Sequence, residues 1–555
     1  MSGPDGATVE VVRSYLLAAA EEMRTTLVRT AFNPVIYEVL DFGISIYDEH
    51  LELVAEAPGL SRFLGANDHS IRRGVEYVGR ENLHPGDVVL LNYPYWNAAH
   101  AYDATLFAPV FLPDGEPVGF VCVRAHWMDL GAKDPGYVLD STDVRQEGLL
   151  FPGTKVWDRG EPVTAIHELI RFNSRMPDLV LGDLHAQVAA LRTGERRLLD
   201  IVGRFGPATV RACVARFLDA AERSSRDAVA ALPHGSWTAV DWLDDDGISD
   251  EPVRMQVTVT IGDDHGFHVD FTGSAPATRG PVNLPLGATL ACARVAFKAL
   301  TTPFEATNAG HARPLRVTAP AGSLFHAVYP AATFTQWTGN LAVELIFKAL
   351  AQGMPEWVAA CSGGDVPGFM MVGAHSDTGE FFAVSNNDVV GWGATAWHDG
   401  AGPLNHPCQT VARTTPIEVL ETRSGMLVER MEVRTDSGGA GRFRGGPGIR
   451  RDLRFVSDGE FLSVVKRTRS RPWALAGGHE PEPTRVIAFP GTGRERRLST
   501  RRVAVRAGDR VTLLTAGGAG HGDPRDRDDA AVRVDVAEGY VSATAARETY
   551  GVDDV

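Results

Sequence analysis

The chain has 555 residues, with 70 acidic side chains against 54 Lys and Arg and a formal charge of −16. At about 100–200 residues per domain, this length implies several domains or one large composite body, and 44% hydrophobic with 22% charged residues excludes wholesale disorder. A pI near 5.5 argues against broad attraction to nucleic acid or an anionic membrane, since both depend on clustered Lys and Arg.

The five cysteines, Cys122, Cys213, Cys292, Cys361 and Cys408, are widely spaced and form no CxxC pair. That speaks against a disulfide framework or a thiolate zinc site and for a reducing cytoplasm. No apolar run reaches the ~18 residues of a spanning helix, and Met1 to Arg13 lacks the basic and apolar regions of a secretory signal. The expectation is a soluble cytoplasmic protein with no membrane or nucleic-acid partner.

Along the chain, Val12, Leu16, Ala19, Met23 and Leu27 recur at helical spacing within 9–30, and Asn33-Pro34 stops that helix. Phe42 to Tyr47 and Leu51 to Ala55 read as paired strands, and Val88 to Asn92 as another. Ala104 to Leu112 and Val118 to Ala125 flank Pro113-Asp114-Gly115-Glu116, a hairpin turn signal. From 178 to 217 apolar residues return at three- and four-residue intervals, which predicts a helical arm. Strand alternation follows between Ser236 and Thr272, then a helix over 286–300, and a β-rich final part ending in a short helix near 542–550. The fold class expected is α+β, a multi-lobed body with antiparallel sheets. Its regions are 1–177 with a metal-bearing hairpin, a helical arm 178–235, a central α+β region 236–424 and a β-rich domain 425–555.

Chemistry concentrates at the hairpin. With Asp114 and Gly115 as central turn residues, Pro113 pairs with Glu116, and the ladder sets Asp103 opposite His126. Opposed residues have Cβ atoms about 4.5–5.5 Å apart, close enough for an Asp oxygen and a His nitrogen to share one cation. His100, three residues before Asp103, can fold back to the same point. Two histidines and one carboxylate suit Mn, Fe, Zn or Co in a site that activates water or polarises a carbonyl. The plain alternative is a pair of ordinary hydrogen-bonded histidines at a hairpin mouth. Asp129 could orient a ligand imidazole. Arg124, on the face of His126, could grip an anionic substrate group or form a structural ion pair. Cys122 shares that face, as a nucleophile or as a small buried hydrophobe. The Gly-rich stretch 437–446, with Arg442 and Arg444, reads as an anion nest or as tight β packing. No GxxxxGK[ST] phosphate loop occurs.

Colinear segments across nearly the whole chain carry a resemblance. They include Asp41-Phe42, Leu91-Asn92-Tyr93-Pro94-Tyr95 leading to His100 and Asp103, Arg124-Ala125-His126, Glu147-Gly148 and Asn173-Ser174-Arg175. Gly182-Asp183-Leu184, Asp270-Phe271-Thr272-Gly273, Gly280-Pro281-Val282-Asn283, Asp436-Ser437-Gly438-Gly439 and Glu538-Gly539-Tyr540-Val541 continue it. The sequence resembles the hydantoinase B/5-oxoprolinase family, which also includes large subunits of acetone and acetophenone carboxylases. The resemblance implies a catalytic subunit of a hetero-oligomer whose partner, a hydantoinase A-type ATPase, uses ATP to phosphorylate the substrate. It also implies a divalent metal (Mn, Zn or Fe) on His100, Asp103 and His126. Asp41 and Glu38 become candidate proton-transfer groups, with solvated or capping carboxylates as the alternative. The chain departs from the family pattern at Tyr93, where Asp is common, and at Trp127, where His is common.

The leading functional expectation is ATP-dependent opening of a cyclic amide, such as 5-oxoproline or a hydantoin. The runner-up is ATP-dependent carboxylation of a ketone, and a third reading is a non-catalytic scaffold subunit.

Overall fold

Asp5 caps the first helix, α1 (Gly6–Thr30), by accepting a hydrogen bond from Thr8 N at 2.7 Å. Val9, Val12, Leu16, Ala19, Met23 and Leu27 form its buried stripe. Asn33 then caps the single turn α2 (Pro34–Tyr37), with Pro34 where an N–H would have no intrahelical partner anyway. The structure, a computed structural model, describes residues 3–554. Met1, Ser2 and Val555, which belong to the first and last expected regions, lie outside the described residues.

The first sheet is antiparallel throughout. It contains β1 (Phe42–Tyr47), β2 (Leu53–Ala57), β3 (Val88–Leu91), β4 (Asp103–Phe111), β5 (Pro117–His126), β6 (Pro152–Asp158) and β7 (Glu161–Pro162) in the order β2-β1-β5-β4-β3-β6-β7. Between its strands lie α3 (Ser61–Val78) and the short α4 (Pro94–Asn97), and after it come α5 (Thr164–Asn173), α6 (Pro177–Phe205) and α7 (Pro207–Ala230). Ile44, Leu106, Val121 and Val123 share a core with α1 and α6, while Tyr47, Phe107 and Cys122 pack with Ile71 and Val75 of α3. Cover on both faces is why these strands read as nearly continuous apolar runs. The expected arm is the α6–α7 hairpin, but it does not stand apart. Val180, Leu184, Leu191 and Ile201 of α6 belong to the core of α1 and the sheet, so a boundary at 177/178 would cut through that core.

A second sheet, order β11-β10-β9-β8, is built from β8 (Gly235–Leu243), β9 (Val253–Ile261), β10 (Phe267–Asp270) and β11 (Leu315–Thr318). α8 (Leu286–Thr301) and α9 (Thr338–Leu350) cover one face. Along β9 Val253, Met255, Val257, Val259 and Ile261 are buried and the intervening residues partly exposed, the alternation of a one-sided sheet. β11 pairs parallel with β10, an exception to the expected antiparallel order.

The remaining strands are β12 (Gly368–Ala374), β13 (Phe381–Asn387), β14 (Met426–Val433), β15 (Ile449–Phe455), β16 (Gly459–Val464), β17 (Arg485–Ala488), β18 (Arg496–Leu498), β19 (Arg501–Val505) and β20 (Arg510–Leu514). They form two sheets, β13-β12-β16-β19 and β14-β15-β20-β17-β18, whose Phe369, Met371, Phe455, Val486 and Leu513 share one core. The β-rich region therefore takes in Gly368–Asn387, well before the expected start at 425. That membership rests on β12 pairing with β16, a long-range contact with no local signature. No helix of the described residues is long and apolar enough to cross a membrane.

The metal-candidate hairpin reaches the expected register by an unexpected route. Leu112 N donates to Glu116 O at 2.8 Å, so the turn holds three residues rather than two. This would displace the ladder by one, but a bulge between Phe111 and Val110 restores it, and Asp103 lies opposite His126. Gly119 sits beside that bulge at φ +156°, where a Cβ would fall 2.2 Å from Tyr47 O.

Candidate metal centre

Two asparagines shape the loop that delivers His100. Asn92 donates to Ala101 O at 2.6 Å and Leu149 O at 2.9 Å and accepts from Phe151 N at 2.6 Å, while Asn97 donates to Asp103 O at 2.6 Å. Asp103 and His126 sit at facing strand ends, and Asn33 donates to His126 O at 3.1 Å. Asp183 of α6 accepts from the backbone of Phe32 and Asn33 at 2.8 and 3.1 Å, tying that helix to the same corner. Glu147, buried, accepts from Thr333 N, Phe334 N and Ser141 Oγ, and so seats Phe334, whose ring stacks on His100 at 4.9 Å.

His126 Nδ1 lies 3.0 Å from Asp103 Oδ1, and His100 Nε2 lies 3.4 Å from Asp103 Oδ2. One ligand atom from each of the three lies within 4.8 Å of the others, and all three residues are buried. Burial drives His100 down to about 3, so its imidazole is neutral and offers a lone pair. Burial also works to raise Asp103, but His100, the His126 hydrogen bond and Arg124 outweigh it and hold the carboxyl below its ordinary value. Burial alone would lower His126, yet Asp103, Asp41 and Asp183 together raise it. Asp41 is pushed up to about 7, by burial first and Asp103's charge second, against His126 and Arg62. Asp103 Oδ2, His126 Nε2 and Asp41 Oδ1 are buried without a hydrogen-bond partner. Such orphans are uncommon in a folded interior. Two imidazoles, one carboxylate and two unpaired donor atoms between them fit a first-row divalent cation.

A cavity of about 40 Å³ opens beside the trio, lined by Asp41, Arg62, Tyr137, Gln336, Asn340 and Gln409 among others. Of the residues predicted to act, His100, Asp103 and Asp41 reach it. Glu38 is half-buried, does not line the cavity and makes no side-chain hydrogen bond. Arg124 is fully buried and does not line the cavity; its Nε and Nη2 donate to Thr105, Ser70 and Asn97, tying α3 to the sheet, while its Nη1 has no partner. Asp129 accepts from Tyr102 Oη at 3.1 Å, Gly131 N at 3.2 Å and Arg175 Nη1 at 2.8 Å, and touches no imidazole. Cys122 lies in the α3 core, where burial pushes its thiol up to about 12 and removes it as a nucleophile. The departures at Tyr93 and Trp127 lie outside the cavity lining, and Trp127 donates to Gln187 at 2.7 Å. In the Gly-rich stretch a Cβ on Gly446 would fall 1.9 Å from Ala401 O, so tight packing explains it. Arg62, Gln336, Asn340 and Gln409 escaped the sequence analysis, because they converge from α3, the start of α9 and a loop near 409 without any shared spacing.

Residues 5–524 match the family described as Hydantoinase B/oxoprolinase. The chain is 30% identical to the B-type subunit of a putative D-/L-hydantoinase of Pseudomonas sp. (strain NS671), covering 99% of this chain and 95% of that one. It is 30% identical to the beta subunit of the caprolactamase of Pseudomonas jessenii, covering 100% and 97%. Similarity to 5-oxoprolinase 1 of Arabidopsis thaliana is 27% over 93% of this chain but 42% of that one. The crystal structure of the ATP-dependent caprolactamase from P. jessenii superposes with a TM-score of 0.92 at 28% identity, over 99% of this chain and 97% of that one. A nucleotide-free acetone carboxylase gives 0.88 at 19% identity over 99% and 79%, a likeness of fold. Matched along nearly its whole length by sequence and by fold, the chain belongs to the hydantoinase B/oxoprolinase family.

Proposed function

We propose that this chain is the catalytic subunit of an ATP-dependent cyclic-amide hydrolase, paired with a hydantoinase A-type ATPase subunit in a hetero-oligomer. The observation that carries the proposal is the buried trio His100, Asp103 and His126, with orphaned ligand atoms beside a polar cavity. The full-length likeness to hydantoinase and caprolactamase subunits supplies the reaction class.

A lactam carbonyl is a poor electrophile, and phosphorylating its oxygen in the partner activates the carbon, so that water adds and the ring C–N bond breaks to leave an acyl phosphate, which a second water hydrolyses to carboxylate and phosphate. In this chain, His100, Asp103 and His126 would hold a divalent cation, which when bound supplies Lewis acidity. Asp103 orients His126 through Nδ1, and Phe334 fixes the ring of His100. Asp41, poised near 7 with Oδ1 free, can take a proton from water and return one to the departing ring nitrogen. Burial of all four groups keeps bulk water from competing. Arg124 and Asp129 act through the scaffold, a role that their hydrogen bonds support.

Ketone carboxylation is the second activity of this fold class, and the acetone carboxylase likeness is one of fold. Co-purification with an ATPase subunit, then assay of ring-opened product against bicarbonate-dependent product, separates the two. Within the complex, His100→Ala should abolish product while leaving substrate-stimulated ATP consumption largely intact, raising the ratio of phosphate released to product. If both rates fall together and the ratio stays constant, the proposed division of labour is wrong.

A further inference from the structure

Among the described residues five arginines are buried, and four of them are answered by groups of the protein itself. Arg451, Arg467 and Arg527 each have a carboxylate oxygen 2.7 Å away, on Asp388, Asp241 and Asp399. Arg124 has no carboxylate but donates to Thr105, Ser70 and Asn97. Arg62 differs from all of these. Its one hydrogen bond runs from Nη1 to the backbone oxygen of Gln336 at 2.7 Å, and among the described residues no carboxylate is close enough to pair with it. A buried charge without a partner costs far more than one neutral hydrogen bond returns, so a guanidinium kept in this state calls for an anion.

The space that Arg62 faces is suited to one. Arg62 lines the cavity beside the trio together with Gln336, Trp337 and Asn340, the residues at the start of α9. That 13-residue helix has no side-chain cap and no acidic residue in its first turn, so no side chain offsets the positive end of its dipole. Gln336, 2% exposed, carries an unpaired buried donor, Nε2. Asn340 and Gln409 bring carboxamides whose oxygens are unpaired, and a half-turn of either presents its NH2 group instead. Asp41 and Asp103 line the same cavity and repel an anion. Asp103 is engaged by His126 and His100, 3.0 and 3.4 Å away, which leaves Asp41 against a full guanidinium charge and a helix dipole.

We infer that Arg62, Gln336 and the start of α9 form the subsite that holds the phosphoryl group of the activated substrate. The inference rests on the reading above, in which the amide reaches this chain already phosphorylated on oxygen. A guanidinium offers parallel N–H groups to phosphate oxygens, and Arg62 makes no hydrogen bond through Nε or Nη2. A cavity of about 40 Å³ has room for about three waters, which the three terminal oxygens of a phosphoryl group replace, while the ring stays outside it. The phosphoryl oxygen stays on the carbonyl carbon while the ring C–N bond breaks, so the acyl phosphate keeps the same anchor. Inorganic phosphate then leaves after the second water attacks.

The test titrates the purified full-length chain with inorganic phosphate by isothermal calorimetry. Wild type should bind it in the millimolar range or tighter, and Arg62→Gln should weaken binding about tenfold or more, the scale of a charge-assisted pair. Arg62→Lys, which keeps the charge and loses the fork, should fall between them. Gln336→Leu should weaken binding about threefold or more. It serves where thermal melts show that Arg62→Gln is unfolded, because Arg62 bonds the backbone of Gln336 and not its side chain. Metal content of the same samples should be equal. Absence of binding by wild type, affinity unchanged in the folded variants, or a loss of affinity that follows a loss of metal overturns the inference. Assays with the ATPase partner keep the two readings apart. Ring-opened product from a chain whose phosphate affinity ignores Arg62 and Gln336 overturns this inference alone, whereas phosphate binding that depends on both, without any ring-opened product, overturns the hydrolase reading alone.

Discussion

Two clusters of charge, one buried at the mouth of the β4–β5 hairpin and one partly buried beneath the C-terminal glycine-rich loops, end differently. In the second, Arg527 donates to Asp399, Asp535 and Arg442 O through five hydrogen bonds, one for each N–H of a guanidinium. Arg444 completes it, with Nε on Asp535 Oδ1 at 2.8 Å. None of these side-chain atoms is left without a partner. At the hairpin, Asp103 Oδ2, His126 Nε2 and Asp41 Oδ1 remain unpaired. A satisfied cluster is architecture, whereas an unsatisfied one in a low-dielectric interior calls for an explanation, and at the hairpin the one proposed above is a bound cation.

The sharpest way to break this contrast is His126→Ala. It should take the purified chain from about one divalent ion to nearly none and cost product formation orders of magnitude in the complex. Equal metal content in mutant and wild type, by elemental analysis, would show that the orphaned atoms hold nothing. Asp41→Asn should retain the ion but lower product formation about 100-fold, the usual scale of proton transfer by a positioned carboxyl. A rate within twofold of wild type would leave Asp41 as mere scaffold. At the other cluster, Arg527→Met leaves buried Asp535 with Arg444 alone and should destabilise the protein by about 1–3 kcal/mol in denaturant titration, with metal content unchanged. A loss below about 1 kcal/mol would mean the satisfied cluster is dispensable. Glu38→Gln, between the two extremes of neither cavity nor network, should change stability by less than about 0.5 kcal/mol and product rate by less than twofold.

The hairpin shows how a correct local reading can conceal two errors. The expected two-residue turn is a three-residue turn, and the ladder recovers through a bulge at Val118, next to Gly119, whose positive φ no alternation pattern announces. Asp103 meets His126 because the two deviations cancel. Arg124 illustrates the opposite case. Its face on β5 was readable by period two, but the groups waiting there, Ser70 and Asn97, come from α3 and the end of α4. Asp129 likewise sits near the histidines in sequence and is drawn away by Arg175.

What the amino-acid order determined by itself is whatever depends on neighbours a few residues apart. The stripe of α1, the alternation of β9, the strand pair around residue 114 and the His100–Asp103 spacing all follow from helical and pleated periodicity. Tertiary structure alone decided that α6 lies against the first sheet and α7 against α1, that β12 and β13 join the C-terminal strands, and that Arg62, Gln336, Asn340 and Gln409 surround one cavity. These contacts join residues tens to hundreds of positions apart. The free energy that selects them comes from burying apolar faces and pairing polar groups across the whole fold, so no local pattern records it.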